Sequence, residues 1–282
     1  MEAVEREPAP TVAAVVPAAG SGRRLGGHGA KALVRLAGRP LLLHAVGDLE
    51  ASRSVTAIVV VAHPDQVGAT ADLIAAAGFV KVAAVVPGGA TRQASVALGL
   101  AALPPGAGYV AVHDAARPLA GRELLDELLA QLVAAVPNGA AGVVPGAPVT
   151  DTVRRVDADQ RSLGIVDREQ LRAIQTPQLF ERSVLEEAHR RAASAGVEAT
   201  DEAALVEWAG HTVRVVPGPV ENLKITTALD LAVAEAIVAR RQAIAHDSPG
   251  QAIGGDQAPG GSAAAGTGTA GGGGAAAGGG SP

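Results

Sequence analysis

The 282-residue sequence contains no cysteine, so it forms no disulfide and offers no thiolate nucleophile. Aromatic side chains are almost missing; Phe79, Tyr109, Phe180 and Trp208 are the whole set. So few rings cannot build a platform for stacked bases. A net charge of −5 argues further against nucleic acid as the main partner. No apolar run approaches the roughly 18–20 residues that span a bilayer. The acidic start, MEAVEREPAP, lacks the basic-then-apolar pattern of a signal peptide. These absences imply a cytoplasmic protein with no membrane partner and a core of Ala, Val and Leu. Lysine is scarce as well. Three lysines (Lys31, Lys81, Lys224) stand against twenty arginines, and Lys31 and Lys224 fall in loop-like stretches.

The two ends do not read as folded. Residues 1–10 read as a loose, disordered arm. Residues 246–282 are Gly, Ala, Ser and Pro with almost no large apolar side chain, the composition of a disordered tail. Residues 11–245 suffice for one α/β domain. Val12–Val16, 57–63, Val80–Val86 and 109–114 read as strands. Helical spacing at Leu42, Val46 and Leu49, then over Gln66–Ala77, Arg92–Ala101 and Glu123–Val136, falls between and after them. Strand and helix alternating through short loops predicts a mostly parallel sheet with helices on both faces. Ligands of such sheets sit beyond the carboxyl ends of the strands. The rhythm breaks over about 147–172, where Thr150–Val156 and Ser162–Arg168 flank the turn-like DADQR. This reads as a projecting β-arm, too polar to be core. Helices over Arg182–Ala195 and from TDEAALVEWAG follow, then a strand, Thr212–Val216. The last helix opens with Thr227 and Asp230 spaced as a capping box.

Four stretches carry chemistry. In PAAGSGRRLGGHGAK, Gly20 and Gly22 allow a sharp turn that points N–H groups at an anion, and Arg23, Arg24 and Lys31 add positive charge. That combination suits a polyphosphate. The dinucleotide fingerprint fails, because GSGRRLG has one residue too many and no acidic residue ends the second strand; a P-loop fails because GAKA lacks the required G-K-[ST]. A nucleotidyltransferase loop, G-x-G-x-R followed by lysine, remains, beside the plainer reading of a glycine turn with solvated arginines. In VHDAARP, Asp114 at a strand end opposite such a loop is placed to bind Mg²⁺. Alternatively it caps the next turn and pairs with Arg117. His113 has no nucleophile to serve and reads as structural. ENLKITTALDL places Lys224 between a strand and the last helix. VDREQLRAIQTPQLF puts Arg168 at the end of the arm's return strand.

Taken in order, PAAGSGRRLG, GGATRQASV, HDAARP, DTVRRV, VDREQL, QTPQLF, TDEAALVE and ENLKIT resemble the 2-C-methyl-D-erythritol 4-phosphate cytidylyltransferases over roughly residues 11–240. The resemblance implies a Rossmann-like nucleotidyltransferase fold and transfer of CMP from CTP to the polyol phosphate, with Mg²⁺. It implies that Arg24 and Lys31 stabilise charge on the phosphates. It implies that Arg168 and Lys224 hold the incoming phosphate, with Thr152, Asp114, Arg117 and Thr176 contacting the same substrate. Ala18, Ala19, Gly20, Gly22, Gly88, Gly89, Arg92 and Ser95 would bind CTP. The arm would cross to a second subunit, so Arg168 and Thr152 would act in a homodimer. Ala30 stands where the family usually has proline before the lysine. The D-x-H metal signatures of a fused cyclodiphosphate synthase do not follow residue 240, so a single activity is expected. The alternatives are a ribitol 5-phosphate cytidylyltransferase, a non-catalytic nucleotide-binding regulator and, more distantly, an NAD-dependent enzyme.

Overall fold

Val12–Pro17 (β1) is apolar on both faces, and Val12 to Val16 are fully buried, as a central strand covered on two sides must be. The computed structural model describes residues 9–20 and 31–247. Alternate residues of β1 feed two cores. Val12, Ala14 and Val16 face the helices Leu41–Ala51 (α1), Val67–Ala76 (α2) and Arg122–Ala135 (α4). Ala13 and Val15 face Arg92–Ala101 (α3), Arg182–Ala195 (α5) and Glu202–Trp208 (α6). The apolar spacing of α4 puts Leu124, Leu125, Leu128 and Leu132 on the buried side.

Around β1 the sheet adds Val55–Ala62 (β4), Val82–Pro87 (β5), Tyr109–Val112 (β6), Ala140–Pro148 (β7), Arg172–Ile174 (β10), Gln178–Glu181 (β11) and Thr212–Pro217 (β12). Their order is β5, β4, β1, β6, β11, β7, with β12 on the far edge of β7. β11 runs antiparallel to β6 and β7, and β10 meets the same edge of β7, also antiparallel. The other six strands are parallel, so their carboxyl ends share one edge. Pro17, Pro87, Pro148 and Pro217 are the last residues of four of them. Without an N–H, proline cannot extend the ladder, so the strands stop there and release loops at that edge. The mostly parallel sheet with helices on both faces is the architecture that the alternation predicts.

Two pieces stand outside this sheet. Arg35–Leu36 (β2) and Arg39–Pro40 (β3) form a small hairpin whose turn, Ala37 and Gly38, takes positive φ. Among the described residues, Val153–Val156 (β8) and Ser162–Val166 (β9) pair only with each other in a separate two-stranded sheet, the arm. The arm is less polar than expected, because Val156, Leu163 and Ile165 are all exposed on it. The final helix, Ala228–Asp247 (α7), starts at the expected capping box, which closes in both directions. Asp230 Oδ2 accepts from the Thr227 N–H, and Thr227 Oγ1 accepts from the Asp230 N–H. The segment leading into α7 is anchored by a third cluster that contains Leu36, Leu41, Leu119 and Ile225, with Leu223 packed against it.

Candidate active site

Asp114 follows the last residues of β6, at the carboxyl edge of the sheet, and only 7% of it is exposed. Its carboxylate is held from two sides. Arg92, the first residue of α3, places Nε at 3.2 Å and Nη2 at 3.1 Å from Oδ1. Lys224 Nζ lies 2.6 Å from Oδ2. Burial works to raise the Asp114 pKa, but the Arg92 and Lys224 charges outweigh it and hold the carboxyl well below the usual range. Lys224 reaches this place by elimination. Its neighbours Leu223 and Ile225 sink into the cluster under α7, so the ammonium is turned outward toward the strand edge.

A buried lattice of hydrogen bonds fixes the floor. Thr176, followed by a cis bond to Pro177, accepts from the Asp114 N–H at 3.0 Å, and its hydroxyl lies 2.9 Å from His113 Nδ1. His113 is fully enclosed; burial pushes its pKa down to about 4, with Asp114 opposing, so it is neutral. Asn222 Nδ2 donates to the Thr176 carbonyl at 2.9 Å, and Arg117 Nη1 donates to the Asn222 carbonyl at 2.7 Å. Arg117 Nη2 donates to the Ile174 carbonyl at 3.0 Å. The residues named as substrate contacts therefore divide. Asp114 and Lys224 meet at the open edge, whereas the Thr176 hydroxyl and two Arg117 donors are engaged inside the scaffold. The plainer alternative pairs Asp114 with Arg117, and the structure pairs it with Arg92 and Lys224 instead.

On the other side of Arg92, the ends of β1 and β5 approach closely. The Ala18 N–H donates to the Val61 carbonyl at 2.8 Å and the Gly88 N–H to the Ala62 carbonyl at 2.8 Å. A Cβ on Gly88 would fall 2.6 Å from Ala19 Cβ and 3.0 Å from Ser95 Oγ; one on Gly89 would fall 2.7 Å from Ala94 Cβ. Only glycine allows this approach. Ser95 Oγ accepts from the Gly89 N–H at 3.1 Å and so shapes the turn. Ala18, Ala19, Gly88, Gly89, Arg92 and Ser95 thus form one continuous rim. The Lys31 N–H donates to the Gly20 carbonyl at 3.1 Å, which brings Lys31 back to the end of β1. Gly22, Arg23 and Arg24 lie outside the described residues. Thr152 and Arg168 sit together at the base of the arm, lining a recess of about 250 Å³ with Asp167, and Arg168 Nη1 donates to the Thr150 carbonyl.

The donor set does not fit a metal held by the protein. Asp114 is the carboxylate offered at the edge, and both its oxygens already carry cations. Among the described residues no group of three His, Cys, Asp or Glu gathers around one point. Asp114, expected to bind magnesium, is paired in this structure with Arg92 and Lys224.

A mostly parallel sheet, with a glycine-tight rim and convergent cations at the carboxyl edge, defines a Rossmann-like nucleotidyltransferase. Solved structures agree. The 4-diphosphocytidyl-2C-methyl-D-erythritol synthase from Anaerococcus prevotii superposes with a TM-score of 0.70 at 27% identity, covering 82% of this chain and 99% of that one. The 2-C-methyl-D-erythritol 4-phosphate cytidylyltransferase from Thermus thermophilus gives 0.62 at 33% identity, covering 80% and 98%. The profile of the 2-C-methyl-D-erythritol 4-phosphate cytidylyltransferase (IspD) family matches residues 12–240, and the chain belongs to that family. A relative of that name from Streptomyces coelicolor is 46% identical over 245 residues, 84% of this chain and 88% of its own. Another from Frankia casuarinae is 46% identical over 231 residues, 82% of each chain.

Reading the sequence by residue missed Glu202 and Asn222. Glu202 lies in TDEAALVE, at the start of a helix, where an acidic residue needs no special role. Asn222, next to Lys224, is fully buried, and nothing in the spacing of ENLKIT marks it as core.

Proposed function

We propose that the chain transfers the cytidylyl group of CTP to 2-C-methyl-D-erythritol 4-phosphate, releasing pyrophosphate, as a step of the non-mevalonate isoprenoid route. The observation that carries this reading is the meeting of Asp114, Arg92 and Lys224 beside the Ala18–Gly20 and Gly88-Gly89 rim, within a chain of this family. An oxygen of the polyol phosphate attacks the α-phosphorus of CTP, and the bond from that phosphorus to the β-phosphate oxygen breaks, its electron pair leaving with pyrophosphate. The attacking oxygen is anionic near neutrality, since a phosphate monoester loses its second proton at about pH 6. No side-chain nucleophile or general base is needed, which agrees with a neutral, buried His113 engaged by Thr176.

Two anions must meet, so the chemistry is positioning and charge stabilisation. Lys224 and Arg168 receive the polyol phosphate, with Thr152 beside Arg168; Arg24 and Lys31 serve the triphosphate and the leaving pyrophosphate. Main-chain groups at Ala18, Ala19, Gly20, Gly88 and Gly89, with Ser95, hold the nucleoside. Magnesium belongs to the proposal as the counter-ion that CTP brings, neutralising part of its charge. The arm belongs to a homodimer: Leu163 and Ile165, two residues apart on β9, expose one apolar face that another subunit would cover. No described helix is long and apolar enough to cross a membrane, and the proposed setting is the cytoplasm.

The test is purified protein with CTP, magnesium and either methylerythritol phosphate or ribitol 5-phosphate. Pyrophosphate release with the first and little with the second is expected. Preference for ribitol 5-phosphate would move the substrate assignment. CTP binding without any release would make the chain a regulator.

A further inference from the structure

The stretch TDEAALVE has no part in the chemistry above, yet it is held in place by two other motifs. Asp201 Oδ1 accepts from the Ala204 N–H at 3.0 Å and caps α6. Its Oδ2 accepts from Gln178 Nε2 at 2.8 Å, and Gln178 Oε1 accepts from the Ala203 N–H at 3.2 Å. Just before it, the Gln93 side chain bonds the Val197 carbonyl and the Ala199 N–H, both at 3.0 Å. Residues of GGATRQASV and QTPQLF thus fix the start of α6.

What this delivers is Glu202, 1% exposed. Its Oε1 accepts from Arg92 Nη1 at 2.9 Å, and its Oε2 is buried with no partner. Burial raises its pKa, opposed by Arg92. Burying a carboxylate with one oxygen unsatisfied is a poor way to stabilise a fold. Its effect is better seen on Arg92. A guanidinium facing a lone carboxylate tends to take both oxygens with two parallel bonds. Here it does not: Nη1 is taken by Glu202, and both Nε and Nη2 fall on Oδ1 of Asp114. Oδ2 is left to Lys224.

We infer that Glu202 is a positioning residue: by holding Nη1 it confines Arg92 to one oxygen of Asp114 and reserves the other for Lys224. Without it, Arg92 turns to embrace the whole carboxylate, and Lys224 is released from the place where it meets the incoming phosphate. Acceptor and donor alternate along Glu202, Arg92, Asp114 and Lys224, so the arrangement sets direction. This inference rests on the cytidylyl-transfer reading for its kinetic consequence, though not for its geometric one.

The experiment compares Glu202→Ala, Glu202→Gln and wild type, each also combined with Lys224→Ala. In Glu202→Ala, kcat/KM for the polyol phosphate should fall by about 10- to 100-fold, the scale of a misplaced binding group. The KM for CTP should change by less than about 3-fold. Glu202→Gln keeps an acceptor for Nη1 and should recover most of the loss. On the Lys224→Ala background, Glu202→Ala should add less than about 3-fold, because the residue it positions is gone. Equal losses on both backgrounds, or parallel rises in both KM values with no recovery by Gln, would overturn the inference. Glu202→Met, which fills the volume with no acceptor, stands in should the alanine variant not fold. A crystal structure of the variant decides the geometry even if wild type turns over neither polyol: Arg92 should engage both Asp114 oxygens, and an unchanged Lys224 contact would refute the idea. Wild-type turnover in the same assay judges the reaction separately.

Discussion

Buried ionisable side chains set how the molecule responds to acid. His189 on α5 is buried, and burial with Arg92 nearby pushes its pKa down to about 4. His113 is pushed down to about 4 as well. An unfolded histidine titrates near 6.5. Between these values the unfolded chain binds protons that the native chain does not. Each histidine therefore contributes stability that is complete above about 6.5 and is lost as pH falls toward 4. Asp48 works the other way. Burial, opposed by its bond from the Gly121 N–H, pushes it up to about 6. Its contribution is complete below its ordinary value and is lost as pH rises through 6. The total slope is thus a balance, and one substitution isolates a single component. In His189→Gln, the stability gap to wild type, read from urea unfolding, should shift in the variant's favour between pH 7 and pH 5. A gap that stays constant or moves toward wild type would contradict the assignment.

Among the elements, helix α3 shows how closely backbone placement is controlled. It lies so near β1 and β4 that a Cβ on Gly99 would strike the Val15 and Val61 side chains. Alanine is the better helix former, by about 1 kcal/mol. Overpacking nonetheless costs about 1–3 kcal/mol. Gly99→Ala should therefore lower unfolding stability, and because Arg92 opens the same helix, it should also weaken activity. A stabilised variant with full activity would show that α3 has room to move.

The same scale explains what was legible in the sequence. β1, β4 and β6 are buried apolar runs, β5 is an apolar run at the sheet edge, and α3 and α4 have regular apolar spacing, so pattern alone finds them. β10 and β11 escape because they are three and four residues long and are separated by a turn, Gln175 to Pro177. β7 escapes because its Gly and Pro residues read as loop. Gly142 is there for packing, since a Cβ would collide with the Phe180 ring. Within the site, the cations were visible as loop arginines and lysines. Their partner choice was not, because Arg92 and Glu202 are 110 residues apart and only the sheet order brings α3, α6 and β6 to one edge.

At the level of the whole molecule, the arm carries the proposal of a homodimer. Its two strands belong to no sheet but their own, and Val156, Leu163 and Ile165 are exposed on it. If it completes a neighbour's site, variants broken at different ends should rescue each other. Lys31→Ala mixed with Arg168→Ala, after subunit exchange is verified, should regain up to about a quarter of wild-type activity. That is the share from heterodimers holding one intact site. No recovery despite exchange would place Arg168 and Lys31 in the same chain's site or remove one from it.

The charge pattern also predicts the course of the reaction for the assembled enzyme. In the proposed reaction the cations at the sheet edge gather two phosphate groups, so the polyol phosphate is expected to attack directly, with no covalent enzyme intermediate. The decisive measurement uses methylerythritol phosphate whose phosphate carries a heavy-oxygen label. After turnover with CTP, phosphorus NMR should find the label in the bridging position of the cytidine diphosphate product and none in pyrophosphate. Because a cytidylylated enzyme would leave the label in the same positions, the assay is repeated with CTP made chiral at the α-phosphorus: inversion there is predicted, and net retention, label in the pyrophosphate, or nucleotide carried on the protein between steps would contradict the account.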